Sequence, residues 1–439
     1  MTTTLLIILI ASSPLLLLVL FFLFPIFRPI KTESDLSTPG FPWWKLYYIK
    51  KYFRPVRRSA GGKADEIEFR EMPFEFDKKP LADTRHAVIH AVGDLMCRPD
   101  LYGAHEPLWQ DIGKDLFSAD LCIGNLEFAV NPNWLIHRLY RYSVMPEKAE
   151  PFLGDPRFGH FHVLTLGNNH INDSLSQGII ATCDYLDTKA VLHVGAGRTI
   201  QEQDEFPMVE IGGIKVAVLS YTFSTNGIPR EKTFLHGVNL VRFNALDDED
   251  YYPALIHRHI GLAKQRRAEY IVACLHWGVE FEQYPPLRIR ERGRALLDAG
   301  IDCIIGHHPH ILNPVEHYKT RDGRNGLVFY SLGNVTTYAL IGYTKKIGEI
   351  AGITLESGVD ASGRRVVRPS KVSLLPFVYI RDAVRGRGIE HRLLPLFAGA
   401  QAVCDRTAAE QYPRRARGLL KRAEKHYRRY WRQRGIEYR

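Results

Sequence analysis

Cys303-Ile304-Ile305-Gly306-His307-His308-Pro309-His310 joins a short apolar run to three histidines set around a proline. An apolar run closed by glycine is the pattern of a strand buried on both faces. Polar residues just past such a strand sit at its carboxyl end, where ligands gather in open α/β sheets. Neutral imidazole is the commonest metal ligand, and three of them are costly to place there without a use.

The arrangement recurs along the chain. Ala87-Val88-Ile89-His90-Ala91-Val92 ends in Gly93-Asp94, and Leu121-Cys122-Ile123 leads to Asn125 and Glu127. His162-Val163-Leu164-Thr165-Leu166 leads to Gly167-Asn168-Asn169-His170, and the run 270–275 to His276. Each has an ordinary explanation: Gly-Asp and Asn are turn formers, Asn also caps helices, and a lone histidine is often a satisfied core residue. Together, Asp, Glu, Asn and His at successive strand ends predict one metal-binding cleft. Further strands are expected at 216–221 and 326–330, with helices over 176–189 and 289–299. Short apolar strands alternating with helices predict a largely parallel or layered α/β core.

Gly93-Asp94-Leu95-Met96, Asn125-Leu126-Glu127, Asn168-Asn169-His170 with Asp173, His276-Trp277-Gly278-Val279-Glu280, Gly306-His307-His308-Pro309-His310 and Tyr330-Ser331-Leu332-Gly333-Asn334 follow one another in this order. This set resembles that of the CapA family, named for poly-γ-glutamate capsule biosynthesis and related to the metallophosphoesterases. The resemblance implies a four-layered αββα metallophosphoesterase-like sandwich and a role in making, exporting or anchoring an anionic polymer. It also implies divalent ions (Mn, Fe, Zn or Mg) held by Asp94, Glu127, Asn169, His276, His308 and His310. Asn125, His307, Glu280 and Asn334 are further candidates. Asp94, His276 and His170 take the catalytic roles, His170 as proton donor to a leaving oxygen. The reaction would be metal-assisted hydrolysis of a phosphoester or of a γ-glutamyl amide. Met96, however, stands where the metallophosphoesterase pattern has a histidine, and Glu127 replaces the bridging aspartate. Those departures support another reading, a non-catalytic scaffold that binds anionic polymer or export partners.

Outside this region the chain is charged and asymmetric. It has 439 residues, 45% of them hydrophobic and 24% charged, and a formal net charge of +10. The run 5–27, LLIILIASSPLLLLVLFFLFPIF, carries no charge. As a helix it would rise roughly 34 Å, enough to span a membrane. No basic residue precedes it and no small-x-small site follows, so an uncleaved single-pass anchor is expected rather than a signal peptide. Aromatic and basic residues from Trp43 to Arg54 suit a membrane interface. The basic flank after the span favours a cytoplasmic main domain, whereas the family resemblance favours the outer side. The predicted organisation is an anchor at 5–27, a juxtamembrane segment and linker at 28–86, the CapA-like domain at 87–340, and an extension at 341–439. Residues 381–439 show no strand pattern. A basic helix at 414–432 either packs Leu419, Leu420, Ala423, Tyr427 and Tyr430 on the domain or presents a surface for anionic lipid or polymer. No nucleic-acid signature accompanies it, so no nucleic-acid partner is expected. The six cysteines lack zinc spacing and read as mostly free thiols.

Overall fold

Along strand β1 (Ala82–Leu95), Ala87, Ile89 and Ala91 enter one hydrophobic core, while Val88 and Val92 enter another. A strand buried on both faces is the centre of a layered fold. The computed structural model describes residues 48, 50–97, 101, 108–132, 142–337, 342–384, 388–397 and 414–439. The predicted anchor at 5–27 lies outside them, as do Trp43 and Trp44. Among the described residues no helix is long and apolar enough to cross a membrane.

The remaining principal strands are β2 (Leu121–Leu126), β3 (Val163–Thr165), β4 (Leu192–Val194), β5 (Met208–Ile211), β6 (Ile214–Thr222), β7 (Tyr270–His276), β8 (Cys303–His307), β9 (Val315–Lys319), β10 (Asn325–Phe329), β11 (Asn334–Thr336), β12 (Ile347–Val359), β13 (Arg365–Val384), β14 (Gly388–Pro395) and β15 (Glu437–Tyr438). They form a mixed α/β fold with two large sheets. The nine-stranded sheet runs β14-β13-β12-β1-β2-β3-β4, with β11 also on β1 and β15 on β13. The six-stranded sheet runs β9-β10-β8-β7-β6-β5. In the first sheet β1 to β4 are parallel, and in the second β6, β7, β8 and β10 are, so their carboxyl ends align. Ile89 and Ile123 of the first sheet share a core with Val218, Val272 and Ile304 of the second. Helices α2 (Leu175–Thr188), α3 (Ala254–Gln265) and α4 (Leu287–Ala299) lend Ile179 and Leu186, Ile256 and Ile260, and Leu296 and Leu297 to the two cores.

Two expectations for the ends of the domain are corrected. The stretch read as a polar linker contains helix α1 (Gly62–Glu71), whose Phe69 joins the core and whose Asp65 and Glu68 pair with Arg290. The tail read as strandless supplies the end of β13, the whole of β14, and β15. Its charges hid the strand pattern, and the one on Arg392 is met by a residue far away in sequence. Arg392 pairs with Asp111 at 2.6 Å, and buried His391 meets the Tyr379 hydroxyl at 2.6 Å. The sheet therefore continues past residue 340, because β12 pairs antiparallel with β1 over most of its length. The five described cysteines are free and buried, as expected.

The basic helix α5 (Arg414–Tyr430) buries Leu420, Ala423 and Tyr427 against Val378 and Leu394. Its Tyr427 hydroxyl donates to the buried Glu349 carboxyl at 2.9 Å. Burial pushes Glu349 up to about 8, although the Tyr427 hydrogen bond favours its charged form. The folded state thus holds a proton that the unfolded chain has released above about pH 4.3, so stability declines as pH rises from there toward about 8. Glu349→Gln keeps an acceptor for Tyr427 and removes the titration. Urea unfolding should find the variant near wild type at about pH 5 and more stable by a few kcal/mol at about pH 8.5. Equal differences at both pH values would refute this account.

Candidate metal centre

Strand register brings the polar strand ends together. Asp94 on β1 is level with Asn125 on β2 and Asn334 on β11, and His276 on β7 is level with His307 on β8. The glycines before these residues permit the approach. A Cβ on Gly93 would stand 2.0 Å from the Gly333 carbonyl oxygen, and one on Gly306 would stand 2.1 Å from that of Tyr330. Beyond β8 the chain turns sharply, with His308 at φ 96° and His310 at φ 56°. The left-handed region is costly for side chains of this size, and such strain persists where surrounding contacts enforce it.

Asp94 is at the centre and fully buried. The Asn125 amide donates to its Oδ1 at 2.8 Å, and the His308 backbone N–H donates to its Oδ2 at 3.2 Å. His307 Nδ1 and His310 Nδ1 lie 3.2 and 3.3 Å from the same carboxylate. Glu127, also without exposed surface, has Oε1 at 3.5 Å from His276 Nε2 and 3.7 Å from His310 Nε2. Glu280 completes the rim with Oε1 at 3.8 Å from His310 Nε2. Two groups of ligand atoms, Asp94–Glu127–His310 and Glu280–His308–His310, each lie within 4.8 Å of one another.

Supports fix these side chains. Asn334 Oδ1 faces His310 Nδ1 at 3.0 Å, and its amide donates to the carbonyls of His310 and Lys345. Asn125 Oδ1 accepts from Thr165 at 3.2 Å and from Asn168 at 3.4 Å. Phe223 stacks parallel to His276, with ring centroids 6.4 Å apart, and also touches His308.

The buried groups divide into some that are ready to bind a cation and others that hold a proton. Burial alone would raise Asp94, but hydrogen bonds from His307 and His310 hold it well below the usual carboxylate range. Burial, then the charge of Asp94, pushes Glu127 well above that range. Burial also drives His276 and His308 well below normal, each helped by a neighbouring histidine, so both imidazoles are neutral and can bind a cation. Burial opposes charge on His310 too, yet Glu127 and Asp94 raise it to about 10. Both Glu127 oxygens, His276 Nε2 and both nitrogens of His308 are buried with no hydrogen-bond partner among the described residues. Orphaned polar atoms cost about 1–3 kcal/mol each, and several at one point call for an occupant. A mixed N and O donor set fits first-row divalent cations, so these residues suit a metal.

Asp94, Asn125, Glu127, His276, His307, His308, His310 and Asn334 thus come together, with Glu280 at the rim. Asn169 and His170 stand one step away. Asn169 donates to Asn226 at 3.0 Å, and His170 Nδ1 lies 2.8 Å from Asp173 Oδ2. Sequence reading missed Phe223, Asn226 and Lys345. Phe223 follows directly on β6 and could have been found by the same strand-end rule; the other two carry no local signal.

Residues 88–338, more than half of the chain, match the family of the bacterial capsule synthesis protein PGA_cap. The chain is 30% identical over 177 residues to the capsule biosynthesis protein CapA of Bacillus anthracis, covering 40% of this chain and 39% of that one. It is 33% identical over 178 residues to the PGA biosynthesis protein CapA of Bacillus subtilis (strain 168), covering 40% and 42%. The matched part therefore spans about two fifths of the length of these curated relatives. Among solved structures, a 5'-nucleotidase precursor from Thermus thermophilus is similar at a TM-score of 0.38 and 14% identity, over 73% of this chain and 59% of that one. On the extent of the family match and the order of the motifs within it, the chain belongs to the bacterial capsule synthesis protein (PGA_cap) family.

Proposed function

We propose that this protein is a membrane-anchored, CapA-like, metal-dependent hydrolase of capsule or cell-envelope polyanion metabolism, acting on a phosphoester or a γ-glutamyl amide. The observation that carries the proposal is the convergence of unpartnered, buried N and O atoms on Asp94, at the carboxyl ends of strands from both sheets. In this reading the two sheets and their helices are the inner and outer layers of the αββα sandwich. Asp94, Glu127, Asn169, His276, His308 and His310 hold the cations, with Glu280 and His307 at hand. When bound, the ions activate water and neutralise charge on the group under attack. The chain's own residues do the rest. Asp173 holds the His170 ring through Nδ1, and the Asn226 amide lies 3.3 Å from Nε2, the nitrogen that in the protonated ring would deliver a proton to the leaving oxygen. The run 5–27 anchors the chain in the membrane. The names of the two Bacillus relatives support a polyglutamate-type polymer as substrate or cargo. The scaffold reading keeps one observation in its favour: Met96, where the metallophosphoesterase pattern has a ligand, is buried as an apolar residue.

The full chain should purify in detergent with about one or two divalent ions, and His308→Ala with His310→Ala should remove them. Unchanged metal content in that double variant, measured by elemental analysis, would sink the assignment. Glu127→Gln should raise the melting temperature of the metal-free protein, because a buried unpartnered carboxyl is removed, yet cancel the stabilisation that added metal gives. A variant that metal still stabilises as fully as wild type would exclude Glu127 as a ligand.

Activity is the second test. Metal-loaded protein should hydrolyse an activated phosphodiester weakly, with Asp94→Ala and His276→Ala each costing about a hundredfold or more. Metal-loaded protein inactive on phosphoesters and γ-glutamyl amides, yet tightly bound to polyglutamate, would select the scaffold. Deleting residues 1–30 should release the protein from membranes with salt instead of detergent.

A further inference from the structure

Three parts of the chain that are distant in sequence wall a cleft of about 360 Å3: helix α1, the end of α5 with the residues after it, and Tyr284 with Pro314. Gln433 locks these walls together. Its amide donates to the Phe69 and Val315 carbonyls at 2.7 and 2.8 Å, and its Oε1 accepts from the Val315 N–H at 3.2 Å. Tyr284 and Pro314 each stand four residues past a side chain of the metal centre, Glu280 and His310. The cleft and the centre therefore share loops.

The lining carries donors that lack acceptors. Lys63, Arg70 and Arg429 have no carboxylate partner among the described residues. The carboxylate that shares the lining with them, Glu66, is already engaged, its Oε1 accepting from the Ser59 N–H at 3.0 Å. Tyr284 and Trp431 are 8% and 7% exposed, with ring centroids 6.3 Å apart. Neither the Tyr284 hydroxyl nor the Trp431 indole N–H has a hydrogen-bond partner among the described residues, and neither atom is sealed from solvent. Buried tyrosine and tryptophan normally find such a partner, so these two have room for a ligand acceptor. Lys63 and Arg70 lie two turns apart on one face of α1, roughly 10 Å along its axis. Between them on that face, Ile67 is 41% exposed. One small anion cannot meet cations so far apart. A chain whose negative groups recur along an apolar backbone can.

We propose that this cleft is a second binding site for an anionic polymer, taking successive carboxylates of a polyglutamate-type chain on Lys63, Arg70 and Arg429 and its backbone against Ile67, Tyr284 and Trp431. The inference rests on the polyanion reading above and adds a place to it. That place is built largely outside the matched family region, since α1 and the end of α5 fall on either side of residues 88–338. A long chain gripped there stays tethered while the metal centre works elsewhere along it, and a short one gains nothing from the tether.

Binding of fluorescently labelled poly-γ-glutamate to the full chain in non-ionic detergent, followed by anisotropy at low salt, tests this. Lys63→Gln, Arg70→Gln and Arg429→Gln together should weaken binding by about tenfold and flatten its salt dependence. Melting temperature, metal content and hydrolysis of a small phosphodiester should not change. Trp431→Phe keeps a ring and removes the N–H, so it should weaken binding by about threefold with the salt dependence intact. Lys421→Gln, Arg422→Gln and Lys425→Gln remove the same charge from exposed positions of α5 outside the cleft and should leave binding near wild type. Equal losses in the two triple variants would show that net charge alone holds the polymer and would overturn the cleft as a site. Polyphosphate competing more strongly than unlabelled poly-γ-glutamate would overturn the choice of a carboxylate chain. Binding lost on metal removal but untouched by the cleft variants would overturn this inference and leave the metal centre standing. Cleft-dependent binding by a chain that takes up no metal would do the reverse.

Discussion

A carboxylate with no exposed surface has to be compensated where it stands, and Asp94 sets that condition for the molecule. Leaving such a charge unpaired costs far more than any one surface contact returns. Compensation comes from Asn125 on the same sheet, and from His307, His310 and the His308 backbone at the end of the other. The polar cluster therefore joins the two sheets at one edge, while the apolar core joins them elsewhere. The local oddities follow from it. Gly93 and Gly306 lack side chains because neighbouring carbonyls press against them, and the His308–His310 turn accepts left-handed backbone so that its imidazoles reach the cluster.

The same condition explains why the centre was readable from sequence. Parallel strands buried on both faces must be continuous apolar runs, and those runs stand out. Any polar residue directly after one is then at the sheet's carboxyl edge, next to its counterparts from other strands. Asp94, Asn125, His276 and His307 needed no long-range information to be placed, only the assumption of parallel neighbours, which the registers bear out.

The chain's two ends were harder because their charges are satisfied at long range. Arg392 reads as surface until Asp111, far away in sequence, is seen beside it. Lys51 reads as a headgroup ligand until Glu282 is found at 3.2 Å. Hydropathy counts each charge as exposed, so an edge strand such as β14 shows no strand pattern and a segment that buries lysine looks like a membrane-interface stretch. The left-handed histidines were invisible for another reason: backbone strain leaves no mark in composition when the residue is not glycine.

What the site can do depends on which parts a metal alone would require. Holding a cation explains neutral His276 and His308, the unpartnered Glu127 and the support of Asn334. It does not explain His170. That ring is fixed through Nδ1 by a buried aspartate and is flanked edge-to-face by Tyr142, with centroids 4.3 Å apart. A scaffold that only grips polymer through metal ions gains nothing from an imidazole oriented beside them. An ordered histidine–carboxylate pair fixes the first proton on Nδ1, facing Asp173, so a hydrolase would draw a proton from Nε2 only when the ring is protonated. Met96 removes one ligand from the pattern, while His307, 3.2 Å from Asp94, supplies an imidazole that the pattern lacks. His307 thus meets Asp94 from the end of β8 in the other sheet, not from the end of β1 where Met96 stands.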